Sequence, residues 1–293
     1  MLPPLKCYCF MRQFLAPILA VVIALHATNA IAADEKPSTS KSRQESLVEE
    51  RGKLMRQLAD GFDVQSNEKG FPQKLETRPI FRYSDPARDC ISASLWKLGG
   101  EGRPKALLAM ELHRSTPGGS AALYEYSSLT ELPFIMSSTD MRWSPKCTLY
   151  EFKSLPDMQA PEKSAPRRLI QMREAANRFA SSEVDKDQRC ELRLLPQPID
   201  RYKPVSAEHA DGAIFLFVFG TNPEVVLFIE SDGTQWTYAV GRMTGAEVVA
   251  VTLDGRVAWE GPPVTPGPSS PYTGSATPVL IPGFTADGKE IAE

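Results

Sequence analysis

The feature that most constrains this chain is that it repeats itself. Met55-Arg56-Gln57-Leu58-Ala59-Asp60-Gly61-Phe62 matches Met172-Arg173-Glu174-Ala175-Ala176-Asn177-Arg178-Phe179, 117 residues on. Pro79-Ile80-Phe81-Arg82-Tyr83 matches Pro198-Ile199-Asp200-Arg201-Tyr202 at a spacing of 119, and Pro104, Leu108 and Glu111 fall on Pro223, Leu227 and Glu230 at the same spacing. Trp143 and Trp259, each following an Asp-containing turn, lie 116 apart. A fixed period kept in order over four segments implies one supersecondary unit used twice.

Each copy reads as a helix followed by strands. Ser42 and Glu45 have the Ser-x-x-Glu spacing of a capping box. Leu47, Leu54, Met55, Leu58 and Phe62 then recur at helical spacing, as do Leu169, Met172, Ala176 and Phe179 after Pro166. Strands are expected in copy two at 191–202, 212–220, 224–231, 235–243 and 246–259. Turn residues separate them at Gly220-Thr221-Asn222-Pro223, Ser231-Asp232-Gly233 and Asp254-Gly255. Such short connections leave no room for crossover helices, so the sheets should be antiparallel. Ile214–Phe219 and Val225–Ile229 do not alternate and must be covered on both faces. The expected fold is therefore α+β: two tandem repeats, each a helix followed by an antiparallel sheet, cystatin-like by analogy, with a proline-rich C-terminal tail.

The outer segments set the domain plan. Arg12 precedes the apolar run Phe14–Leu25 and the small-residue ending Ala30-Ile31-Ala32, the pattern of a secretory signal over 1–32. A flexible linker (33–41), repeat 1 (42–154), a linker (155–163), repeat 2 (164–260) and the proline-rich tail (261–293) follow. The tail ends in Val279-Leu280-Ile281-Pro282-Gly283-Phe284, apolar enough to dock as a strap; a disordered tail is the other reading. The leader run is shorter than a membrane span needs, so an exported chain (periplasmic or extracellular) with no span after cleavage is expected. A formal charge of −3, to which the leader contributes Lys6 and Arg12, offers no electrostatic reason for nucleic acid.

Chemistry is sparse. Of five cysteines, Cys7 and Cys9 belong to the leader. Cys90, Cys147 and Cys190 suggest either one disulfide with a thiol left over or three small buried side chains. No CxxC and no Cys–His cluster is visible in the order of residues, and His113 and His209 read as loop residues. P-loop, dinucleotide, His-Glu-x-x-His and EF-hand patterns are absent, as is Gly-x-Ser-x-Gly. No catalytic residue, metal ligand or cofactor is therefore expected. The polar residues recurring in both copies are Arg82, Tyr83 and Glu111, and Arg201, Tyr202 and Glu230. They read as cross-strand Arg–Glu pairs with Tyr beside them, or as the lining of a polar pocket. Trp143 and Trp259 should close each core with the indole N–H bonded.

Around these residues the chain resembles an uncharacterised family of secreted, tandem-duplicated proteins of planctomycete-type bacteria. The motif is Leu194-Leu195-Pro196-Gln197-Pro198-Ile199-Asp200-Arg201-Tyr202, continued by Asp211-Gly212-Ala213-Ile214-Phe215, Asn222-Pro223-Glu224-Val225 and Trp236-Thr237-Tyr238-Ala239-Val240-Gly241-Arg242-Met243. Copy one keeps Leu75, Pro79-Ile80 and Arg82-Tyr83 but has Glu76 and Thr77 in place of Leu195 and Pro196. The resemblance implies no activity, substrate or cofactor. Two functions follow from these readings: an exported non-catalytic module binding a protein, peptide or glycan, or a hydrolase or other small-molecule enzyme with a carboxylate site between the copies.

Overall fold

The computed structural model describes residues 39–291, apart from Glu101, Leu149, residues 186–187, Glu247 and residues 262–264. The segment 1–32, expected to be a signal, and residues 33–38 lie outside the described residues. Thr39 to Lys41, expected in the linker, are helical, because the first helix runs Thr39–Asp60. Ser42 and Glu45 therefore sit inside it and not at its cap.

The α+β expectation of two helix-plus-sheet repeats is overturned. The protein is mostly β, with two α-helices among the described residues, Thr39–Asp60 and Ala165–Ala176. Its sheets are assembled across the expected repeat boundaries. The front sheet has the order Tyr272–Pro278, Gly119–Ser128, Ala106–Thr116, Cys90–Leu98, Phe81–Asp85, so the proline-rich tail supplies an edge strand. The rear sheet has nine strands. Its path runs Arg256–Glu260, Val248–Leu253, Phe179–Asp185, Gln188–Leu194, Asp211–Phe219, Asn222–Ser231, Trp236–Arg242, Lys153–Ser154, with Asp200–Tyr202 also on Asp211–Phe219. A small third sheet joins Asp63–Gln65, Ile135–Ser137 and Arg142–Trp143. All of these pairings are antiparallel. No helix among the described residues is long and apolar enough to cross a membrane.

Local chemistry explains several of the departures. The strand expected over 191–202 splits because Pro196 and Pro198 have no N–H for the ladder, leaving Gln188–Leu194 and Asp200–Tyr202. The 246–259 segment is a hairpin turning at Asp254 and Gly255, both at positive φ. Phe179, taken as the end of a helical stripe, instead opens a strand. The 155–163 linker is anchored on both sides: Lys153 and Ser154 pair with Tyr238 and Thr237 and Leu155 is buried, while Gln171 accepts from the Glu162 N–H and donates to the Ala160 carbonyl.

The non-alternating runs are covered on both faces. Phe215, Phe217, Leu227 and Ile229 pack with Met172, Ala175 and Ala176 of the second helix. Their neighbours Ile214, Leu216, Val226 and Phe228 meet Leu95, Leu107 and Ala109 of the front sheet. On the front sheet's other face, Met55, Ala59 and Phe62 pack with Trp96, Tyr124 and Tyr126. The tail completes that core with Ile281 and Phe284, so it docks, as a strand followed by an apolar strap. Each such side chain contributes about 1.5–3 kcal/mol by leaving water. Trp143 is fully buried and donates to the Ser270 carbonyl at 2.7 Å, whereas Trp259 is only half-buried.

Candidate functional site

The recurring polar residues come together in an arrangement that differs from the expected one. In an antiparallel sheet, residues directly opposite share a face and sequence neighbours do not. Tyr83 lies opposite Ala93, which lies opposite Glu111. The Tyr83 hydroxyl reaches across the small Ala93 side chain and donates to Glu111 Oε1 at 2.8 Å. The rear sheet repeats this register with Tyr202, Gly212 and Glu230, and the Tyr202 hydroxyl donates to Glu230 Oε1 at 2.5 Å. A Cβ at 212 would come within 2.8 Å of the Tyr202 ring, which is why glycine stands there.

Arg82 and Arg201, one residue before each tyrosine, are opposite Ser94 and Ala213 and so belong to the other face. The expected Arg–Glu pairs are thereby corrected: each glutamate is held by its tyrosine, and each arginine faces away. Arg201 donates to both Asp211 oxygens, through Nε at 2.8 Å and through Nη2, and to the Ala165 carbonyl at 2.6 Å. The buried Arg168 of the second helix donates to the same carboxylate at 2.8 Å. At the matching front-sheet register Asp211 is replaced by Ser92, opposite Leu112 as Asp211 is opposite Ser231. Without that acid, Arg51 of the first helix turns to the Pro282 carbonyl and lies over the Phe284 ring. Arg82 is exposed and makes no hydrogen bond or ion pair among the described residues.

A groove of about 640 Å³ opens beside Arg82, between the first helix and the 77–79 segment. Lys53, Arg56 and Arg78 line it with Arg82, over Val48 and Trp96. Lys53 pairs with Glu49, and Arg56 with Asp60 while lying over the Trp96 ring. Arg78 and Arg82 have no ion pair among the described residues.

No protein-family model, curated protein or solved structure matches this chain.

The two glutamates meet different second partners. Glu230 takes a two-pronged contact from Arg103, Nε to Oε1 at 2.7 Å and Nη2 to Oε2 at 2.5 Å, and that guanidinium lies 3.8 Å over the Phe152 ring. Glu111 instead has His113 Nε2 at 2.7 Å from its Oε2, with Cys90 alongside; the three ligand atoms lie within 4.8 Å of one another. Residue order hides this cluster because Cys90 and His113 are 23 apart in the chain. The hairpin register sets Cys90 directly opposite His113, and an expected strand pairing was the signal that could have found it. Burial first, and then the Glu111 charge, push the Cys90 thiol well up, so it is no activated nucleophile. Cys147 is exposed, and it forms no disulfide with Cys90.

Between the sheets lies a further layer of buried charge. Glu224 accepts from Arg88 at 2.9 Å, yet burial and Glu183 raise its pKa to about 8. Glu125 is raised by burial and by Glu111 and Glu224. Lys97 bridges the sheets to Asp200 at 2.5 Å.

Proposed function

We propose that the protein is an exported, non-catalytic binding module that takes an acidic peptide segment into the groove along its first helix. The observation that carries this is the unmatched Arg82, whose counterpart Arg201 is held by Asp211 and the Ala165 carbonyl. A cation left without an acid beside another unmatched one, Arg78, and near the exposed Val48 favours a carboxylate-bearing ligand with an apolar side chain. A peptide suits the groove better than a glycan, because Trp96 is 1% exposed and offers no flat ring for a sugar to stack on. Export rests on the leader pattern. The matched registers of Tyr83–Glu111 and Tyr202–Glu230 support reading the chain as a duplicated unit.

The enzyme reading has one observation in its favour, the raised pKa of Glu224. Against it, that carboxyl is 1% exposed and lies beneath the packed sheet interface. The binding reading is tested by fluorescence anisotropy with a labelled Asp/Glu-rich peptide of about ten residues. The acidic peptide should bind, its Lys/Arg-rich counterpart should not, and Arg78→Glu with Arg82→Glu should weaken binding at least about tenfold. Binding unchanged in that variant, or no binding by the acidic peptide, would reject the groove.

A further inference from the structure

We propose that Cys90, Glu111 and His113 bind a divalent transition-metal ion, with zinc the best fit. The donors are a thiol, a carboxylate and an imidazole, a set that suits zinc and excludes the all-oxygen preference of calcium and magnesium. Their ligand atoms lie within 4.8 Å of one another. Zinc bond lengths of about 2.0–2.3 Å in a tetrahedron put ligand atoms roughly 3.3–3.7 Å apart. Closing on an ion therefore asks for side-chain shifts of about an ångström, with Glu111 and His113 parting slightly from their 2.7 Å contact. Cys90 and His113 are opposite one another on adjacent strands, so the backbone already holds two of the ligands in place.

Independent support comes from what surrounds Glu111. Its Oε1 is held by the Tyr83 hydroxyl, which leaves Oε2 turned toward His113 and Cys90. Metal-ligating carboxylates are oriented by such outer hydrogen bonds. The rear sheet shows what the same Tyr–Glu pair requires: Glu230 is neutralised by the Arg103 guanidinium. No arginine or lysine takes that role at Glu111 among the described hydrogen bonds and ion pairs, where His113 stands instead, and a metal ion would supply a fixed positive charge there. Three protein ligands complete the set, leaving a fourth position for water in a tetrahedral ion. Binding would convert the Cys90 thiol to a metal thiolate and release its proton to solvent.

The test uses the full chain with Cys7, Cys9, Cys147 and Cys190 replaced by serine, so that Cys90 is the sole thiol. After chelator treatment and dialysis the chain is titrated with Co²⁺ and followed by absorption. The proposal expects one equivalent to produce a near-ultraviolet thiolate-to-cobalt band with strong visible bands, and zinc to displace them. In the same background, His113→Ala should weaken binding at least tenfold. Tyr83→Phe, which leaves all three ligands in place, should weaken it about 10- to 100-fold. Absence of the thiolate band in the folded sole-thiol chain would overturn the proposal even if the His113 variant failed to fold. So would a band that persists unchanged in a folded His113→Ala chain.

Discussion

The two sheets place the same tyrosine–glutamate pair in the same register, and they differ in what surrounds it. In the rear sheet Arg103 closes on Glu230, and Asp211 gathers Arg168 and Arg201. In the front sheet Cys90 and His113 stand at Glu111, Ser92 replaces the gathering acid, and Arg51 and Arg82 are released, one to the tail and one to the groove. A buried carboxylate is tolerated only when hydrogen bonds and a counter-charge replace water. The difference teaches that the rear half commits its polar residues to internal ion pairs, while in the front half Arg82 has no acid and Glu111 no arginine or lysine among the described residues.

Removing the rear half's pairing should have the largest effect. Arg103→Ala strands the buried Glu230 carboxylate and should cost about 3 kcal/mol in denaturant unfolding. Asp211→Ser, which copies the front sheet into the rear one, leaves two arginines without their acid. It should cost about 2–3 kcal/mol, with the buried Arg168 carrying most of the loss. Both figures would be contradicted by losses under about 0.5 kcal/mol, the size of an ordinary surface change.

A more gradual effect, spread over several pH units, is expected from pH. The Glu224 carboxyl has its folded pKa raised to about 8 by burial and by Glu183, against the relief given by Arg88. The folded state therefore holds a proton that the unfolded chain releases near its ordinary carboxylate value. Between those two values stability falls as pH rises, by at most about 1.4 kcal/mol per pH unit for one group. Glu125, raised in the same direction, adds to the trend. Urea midpoints should fall from pH 5 to pH 8, and Glu224→Gln should flatten the fall. A midpoint that rises over that range would contradict the assignment.

The smallest effect is a binding change. Ser92→Asp restores to the front sheet the acid that holds Arg201 in the rear one. It should draw Arg82 out of the groove and weaken acidic-peptide binding about tenfold, close to 1.4 kcal/mol. If anisotropy shows no change in a folded variant, Ser92 does not set Arg82 free.

What the sequence made legible was local. Turn residues at Gly220–Pro223 and Ser231–Gly233 delimited the hairpins, and the apolar runs Ile214–Phe219 and Val225–Ile229 declared two-sided burial. Non-local pairing was hidden. Nothing in Tyr272–Pro278 announces that it pairs with Gly119–Ser128, and nothing in Lys153–Ser154 announces Tyr238 as its neighbour. These additions carry the sheets across the expected repeat boundaries. For the site, the right residues were singled out and wrongly paired: a step of one residue along a strand exchanges faces, which moved Arg82 and Arg201 away from Glu111 and Glu230. Arg103 lay outside the motif, in a loop, and escaped notice for that reason.

The central claim is that each glutamate is held by its tyrosine and by a group the repeated motif does not contain. Two double-mutant cycles on unfolding free energy test it most directly, one on Arg103 and Glu230 and one on Arg201 and Glu230. We predict coupling above about 1 kcal/mol for Arg103 with Glu230 and additivity within about 0.5 kcal/mol for Arg201 with Glu230. Strong coupling of Arg201 to Glu230, with Arg103 additive, would contradict the account and restore the pairing first read from the sequence.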